Sequence, residues 1–273
     1  MFHLAGYAHA DDASRRLNDS PHWHITVEGT QALLDQACAA GVKRVVFAST
    51  VKAMGEGGEE RLDETSAADP EDYYGIAKRE AERLILSARR GCGMYVSLLR
   101  LPMVYGWDNL GNLPRMIEAI DHGRFPPLPE IHNKRSMVHV DDVVRALLAV
   151  VENPIADGQV YIVTDGQVYS SRQIEVLIRR ALGKPVPGWF VPEGILRVGA
   201  WVGDFVERVL RRHFPLNSSV LRKLLGSAWY SDEKIRRELG YRPHHTLASA
   251  LPEMIENYRR HSGEAAPPVP NST

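Results

Sequence analysis

Apolar residues recur along this chain in two alternating textures. Short continuous apolar runs of strand length alternate with stretches whose apolar positions repeat every three to four residues. The first run, Phe2–Ala5, predicts a strand, and a polar, irregular segment follows it. A helical pattern then covers about Ile25–Ala40, with Val27, Leu33, Leu34 and Ala37 on one side and Gly41 as its stop. The β-branched run 42–50 predicts a strand, and 55–72 a Gly- and Glu-rich loop. A helix is predicted from Tyr73 to about Arg90, with Ala77, Ala81, Leu84 and Ile85 apolar. Residues 94–106 predict one more buried strand and 113–123 a short helix. Residues 135–154 predict a short strand, then a helix capped by Asp141 or Asp142, and 159–165 a last strand.

Beyond that point the texture is helical, over 171–183, 191–213, 217–225 and 247–261. Ser231 or Asp232 is expected to cap turns that end at Gly240, and the tail 263–273 is expected to be disordered. Trp189–Leu210 is the most hydrophobic long stretch, but Glu193, Arg197, Asp204 and Glu207 interrupt it. It therefore predicts an amphipathic helix on the protein's own core, not a membrane span. Strands alternating with helices predict an α/β fold with a parallel sheet covered on both faces. The smaller, mostly helical C-terminal part is expected to form a substrate domain beyond the sheet's carboxyl edge. The division expected is 1–107 with 136–166 as the cofactor domain, and 108–135 with 167–262 as the substrate domain.

Composition narrows the classes. The 273 residues carry 33 basic and 34 acidic side chains, a net charge of −1, which argues against nucleic acid as a partner. Hydrophobic residues at 44% supply a core, so the chain is not disordered as a whole. The only cysteines, Cys38 and Cys92, cannot form a disulfide framework and read as free thiols. Free thiols and the lack of a signal-peptide pattern after Met1 point to the cytoplasm, with no membrane partner. The His pairs at 22/24 and 244/245 lack zinc-ligand spacing, so no metal is expected and they read as surface or loop side chains.

Candidate chemistry centres on Tyr74-x-x-x-Lys78 near a predicted helix start. Spacing of four puts both side chains on one face. A nearby ammonium favours the tyrosinate and is expected to lower the Tyr74 pKa, making it a proton donor and acceptor for an alcohol or ketone. Ser49 and Thr50 end a predicted strand, where a hydroxyl faces the ligand edge of an open sheet.

These pieces sit within seven ordered segments: FHLAGYAH, TVEGTQALLDQA, FASTVKAMGE, YYGIAKREAE, RLPMVYG, KRSMVHVDDVVRAL and IRRELGYRP. In that order they resemble the extended short-chain dehydrogenase/reductase family, the NAD-dependent epimerase/dehydratases of nucleotide sugars, over roughly residues 1–260. The resemblance implies a Rossmann-type sheet, NAD or NADP as cofactor and a nucleotide sugar as substrate. It implies Tyr74 as acid/base, Lys78 as its partner on the nicotinamide ribose, and Thr50 as the catalytic hydroxyl with Ser49 beside it. It implies Leu4, Ala5, Gly6 and Pro102 beside the cofactor, and Asn112 and Arg135 on the nucleotide diphosphate. Dimers are common in that family, and no residue here demonstrates one.

Three departures shape the expectation. Thr26 stands where the family has Asn. Val51 and Lys52 follow Thr50 where sugar 4,6-dehydratases have Asp and Glu, so elimination is not expected. No Gly-x-x-Gly-x-x-Gly loop occurs anywhere, which reads as an N-terminally truncated Rossmann sheet, from a fragment or a start placed at an internal Met. Tight NAD binding by these residues alone is not expected. The function implied is a UDP-sugar 4-epimerase or 4-keto reductase. The alternatives are a non-catalytic binding protein or remnant, and a hydroxysteroid-dehydrogenase-like reductase.

Overall fold

A computed structural model of the chain describes residues 1–7, 16–66, 69–107, 111–210 and 217–262. Along it run β1 (Phe2–His3), α1 (Gly29–Ala39), β2 (Arg44–Thr50), α2 (Tyr73–Cys92), β3 (Tyr95–Leu101), β4 (Met103–Tyr105) and α3 (Asn112–Asp121). Then follow β5 (Met137–His139), α4 (Val140–Glu152), β6 (Gln159–Ile162), α5 (Ser171–Ala181), α6 (Glu193–Leu210), α7 (Ser218–Leu225), α8 (Glu233–Leu239) and α9 (Leu247–Ser262). The tail expected to be disordered lies outside the described residues.

The chain divides into two compact units. One comprises 1–104, 136–167 and 228–244, and the other 105–135, 168–227 and 245–273. Segment 228–244, assigned from sequence to the helical part, packs with the sheet, because Ile235 and Tyr241 join Tyr161 and Val163 in one cluster.

The sheet unit is α/β, with all-parallel strands in the order β1-β2-β3-β6. Alternation along β2 explains the helices on both faces. Val45 and Phe47 point to one side, against Leu34 and Ala37 of α1 and Ala81 and Ile85 of α2. Val46 points to the other side, against Val143, Ala146 and Val150 of α4. Each such buried aliphatic side chain contributes about 1.5–3 kcal/mol relative to exposure.

Sequence expectation and structure also part in the local elements. The run 94–106 is two strands, because Pro102 cannot donate to the ladder; β4 leaves the main sheet and pairs with β5. The cap of α4 is His139, whose Nδ1 accepts from the Asp141 N–H at 3.3 Å, not Asp141 or Asp142. The helix expected from Ile25 begins as a π-helical stretch, His22–Glu28, before α1. Cys38 and Cys92, read as free thiols, form a disulfide with Cα atoms 5.8 Å apart. Packing of α1 and α2 on one face of the sheet brings the two cysteines together, a proximity their separation in sequence hides. The argument for a reducing compartment falls with the free thiols.

The helical unit has its own core of Leu128, Leu196, Ala200 and Leu221, with Phe125, Ile131 and Val191 packed against it. Inside it Glu175, fully buried, accepts from the Leu128 N–H at 2.9 Å and pairs with Arg172 and Arg179 at 2.9 and 2.6 Å. Among the described residues no helix is long and apolar enough to cross a membrane.

Candidate active site

Three neighbouring parallel strands present their carboxyl ends together. Leu4–Gly6 follows β1, Ser49–Thr50 ends β2 and Pro102 follows β3. That edge is where open parallel sheets bind ligands.

Helix α2 starts at this edge. Asp72 caps it, accepting from the Gly75 N–H at 2.7 Å, and also pairs with Lys52 Nζ at 2.6 Å. Gly75 is required by a close approach, since a Cβ there would stand 2.5 Å from the Lys52 carbonyl oxygen. This contact pins the helix start to the turn after β2 and sets Tyr74 near Thr50, whose hydroxyl draws the phenol's pKa down against burial. Thr50 also accepts from the Lys52 N–H at 3.3 Å.

Tyr74, Lys78 and Glu82 share one face of α2 at four-residue spacing. The Lys78 ammonium is buried, donates to the Ala48 carbonyl at 3.0 Å and stands 4.5 Å from the Phe47 ring centroid. Burial pulls its pKa down to about 8, against the pull of Glu82. Gly6 comes so close that a Cβ would lie 3.0 Å from Lys78 Nζ. His3 lies beneath, with Nε2 2.9 Å from Thr30 Oγ1; burial, then Lys78, brings its pKa down to about 4.

One sequence expectation reverses here. The Tyr74 pKa is raised, not lowered: burial dominates, the Thr50 hydroxyl opposes it, and the Asp72 charge adds to it. The Lys78 ammonium is directed to the Ala48 carbonyl, and desolvation dominates at the phenol.

Ser49 is turned to a different task. Its hydroxyl donates to Glu82 Oε1 at 2.6 Å, and Arg100 grips Glu82 through two bonds at 3.0 and 2.7 Å. This buried network ties β2 and β3 to the face of α2 that carries Tyr74 and Lys78. Sequence reasoning missed Glu82, although Lys78-x-x-x-Glu82 continues the Tyr74-x-x-x-Lys78 register.

His22, read from sequence as a surface or loop side chain, is buried. Its ring centroid lies 5.8 Å from that of Tyr74 and 5.0 Å from that of Tyr7, and its Nδ1 is 3.1 Å from the Tyr7 carbonyl oxygen. No spacing in the sequence announces it, because the π-helical stretch sets its direction. Thr26, the departure from the family's Asn, accepts from the Tyr7 N–H at 3.3 Å. Leu4 and Ala5 are exposed and Pro102 is buried. Asn112 and Arg135 belong to the helical unit, Asn112 opening α3 and Arg135 bridging antiparallel to Tyr169. A groove of about 440 Å³ runs along β6, lined in part by Glu64, Gln159 and Lys234, and none of the Thr50–Tyr74–Lys78 group lines it.

Comparison with known proteins identifies the family. The model of the NAD dependent epimerase/dehydratase family matches residues 1–164. A UDP-glucose 4-epimerase of Vibrio cholerae is 28% identical over 262 residues, covering 94% of this chain and 76% of that protein. The crystal structure of a UDP-glucose 4-epimerase with UDP-glucose, from Thermotoga maritima, superposes with a TM-score of 0.72 at 24% identity, over 96% of this chain and 77% of that one. A dTDP-glucose 4,6-dehydratase from Streptomyces venezuelae, solved with NAD bound, gives a TM-score of 0.70 at 25% identity, over 96% and 73%. With its parallel sheet, its Tyr-x-x-x-Lys helix and a family match over more than half its length, the chain belongs to the NAD-dependent epimerase/dehydratase family.

Proposed function

We propose that this chain is an NAD(P)-dependent oxidoreductase of a nucleotide sugar, a UDP-sugar 4-epimerase or 4-keto reductase acting at C4. The observation that carries this reading is Thr50, Tyr74 and Lys78 gathered at the carboxyl edge of the sheet, with Gly6 passing the ammonium closely. That edge suits the nicotinamide-ribose end of a dinucleotide: a buried ammonium, two hydroxyls and a stretch of backbone held near by a glycine. When bound, the nicotinamide supplies the acceptor and donor of hydride.

The chain's own residues handle the proton and the position of the sugar. Thr50 hydrogen-bonds the reacting oxygen and orients Tyr74. The raised pKa keeps the Tyr74 proton in place at neutral pH, which suits donation to a sugar ketone. Removing a proton from a 4-hydroxyl, the reverse half of the cycle, needs Lys78 charged. Val51 is buried and Lys52 is held by Asp72, so neither serves an elimination. Asn112 and Arg135 would hold the diphosphate, for which an Arg fork is well shaped.

A second reading, a binding protein without turnover, is favoured by one observation: Thr26, buried and bonded to Tyr7, replaces the family's Asn. The test is an assay of UDP-hexoses and UDP-N-acetylhexosamines with NAD or NADP in excess, since the sequence holds no glycine-rich phosphate loop. Epimer or alcohol formation that falls about 10²–10⁴-fold in Tyr74→Phe supports the enzyme. Sugar-nucleotide binding without turnover under every condition supports the second reading.

A further inference from the structure

The last three residues of β2 meet one face of α2. Thr50 lies near Tyr74, the Ala48 carbonyl accepts from the Lys78 ammonium at 3.0 Å, and the Ser49 hydroxyl donates to Glu82 at 2.6 Å. Arg100 of β3 completes the arrangement with its bonds of 3.0 and 2.7 Å to the Glu82 carboxylate. Ser49, Lys78 and Glu82 are all buried. A buried ion pair stabilises a fold little more than apolar packing of the same volume, because desolvation of both charges offsets their attraction. Packing of α2 on the sheet therefore does not by itself call for a carboxylate at this position.

The charge of Glu82 reaches Lys78. The two lie one turn apart on α2, and the carboxylate favours the ammonium against its burial. The other titratable groups near this ammonium are Tyr74 on its own helix and His3 on β1, with Arg100 of β3 across Glu82 and His22 against Tyr74. His3 is neutral at neutral pH, since its pKa is about 4, and Tyr74 keeps its proton. Asp72, at the helix start, is paired with Lys52. Glu82 is therefore the anion that Lys78 and Arg100 share.

We propose that Glu82 is a positioning residue for the reaction: it keeps the Lys78 ammonium charged and held against the end of β2, while Ser49 and Arg100 fix the carboxylate in place. The proposal rests on the reading of Tyr74 and Lys78 as the working pair. Removal of a proton from the sugar 4-hydroxyl needs the ammonium. Without the carboxylate the buried ammonium gives up its proton at lower pH, so that half of the cycle should fail earlier on the basic side.

The experiment compares the full wild-type chain with Glu82→Gln, which keeps the shape of the side chain and removes its charge. One readout is the titration of Lys78, by nuclear magnetic resonance of lysine labelled at Cε and assigned with Lys78→Arg. The other is the pH profile of turnover with UDP-sugars and saturating NAD. Glu82→Gln is expected to lower the Lys78 midpoint by about one pH unit or more, and the basic limb of turnover should move down with it. Glu82→Gln/Arg100→Met leaves no guanidinium without its carboxylate and gives the same reading if the single variant does not fold. An unchanged Lys78 midpoint in a folded variant overturns the proposal. So does turnover that falls equally at every pH with its basic limb in place, since a merely structural role does that. A chain whose Lys78 midpoint shifts as expected but which turns over no UDP-sugar supports the hold of Glu82 on Lys78 and overturns the reaction assigned to the pair.

Discussion

In the sheet unit a cluster of polar groups is buried around the candidate site: Ser49, Lys78, Glu82, His3 and His22. In the helical unit a run of large apolar groups in and just before α6 is exposed, Trp189, Ile195, Val198, Trp201 and Phe205, beside a buried Glu175–Arg179 pair. A buried polar group must be bonded or it costs stability, and a large exposed apolar patch gains nothing from the fold that displays it. The first kind ties the elements of a site together, and the second leaves apolar surface in water. The contrast between these two clusters can be broken by mutation.

The largest expected effect is on the chemistry of the sheet unit. Tyr74→Phe should lower turnover about 10²–10⁴-fold with an unchanged melting midpoint, read by product formation and circular dichroism. Next comes stability in the same unit. Glu82→Ala leaves Arg100 and Ser49 without their carboxylate and should cost about 3–5 kcal/mol in denaturant unfolding. The paired change Glu82→Met/Arg100→Met should recover much of that loss, because it leaves no charge unpaired. If Glu82→Ala costs nothing, the buried network is not what holds α2 against the sheet.

An apolar pair sharpens the comparison further. Leu98, fully buried in the sheet unit, should cost about 2–5 kcal/mol when changed to Ala. Trp201→Ser, in spite of the larger side chain, should change stability by about 0.5 kcal/mol or less, because that side chain is mostly in water. Equal losses at the two sites would mean that the α6 stripe is part of the fold.

Effects of pH test the buried polar groups directly. The His3 pKa is about 4 in the fold against 6.5 for the free group, so between those values the unfolded chain holds the extra proton. Stability present above pH 6.5 should fall as pH drops toward about 4, and His3→Gln should flatten that slope. Lys78 is depressed in the same sense, to about 8 from 10.5, so its burial penalty is fully present below about pH 8 and is relieved as pH rises toward 10.5. Its charge is lost over the same range, so a rate that depends on the ammonium should decline above about pH 8.

The sequence carried the strand–helix alternation because apolar runs and helical periodicity are local signals. It carried Tyr74, Lys78 and Thr50 because they sit in short motifs in a fixed order. It missed the Cys38–Cys92 bond, since nothing along the chain shows that the ends of α1 and α2 meet. The break at Pro102 was readable from the missing N–H, yet the apolar run on either side masked it. The direction of the Tyr74 shift depends on how deeply the phenol is buried and where the Lys78 ammonium points, and neither is written in a four-residue spacing. The amphipathic periodicity of α6 was legible and read as a face for the protein's own core, but that Ile195, Val198, Trp201 and Phe205 turn outward is a tertiary fact.

The central claim is that Tyr74 performs acid/base work on a nucleotide sugar. Its most direct test is a matched turnover measurement on the wild-type chain and Tyr74→Phe, with UDP-sugars and saturating NAD, following both the nicotinamide and the sugar product. The account predicts product from the wild-type chain and a loss of at least about a hundredfold in the variant, with the same sugar-nucleotide binding. Near-equal turnover by the two proteins would contradict it.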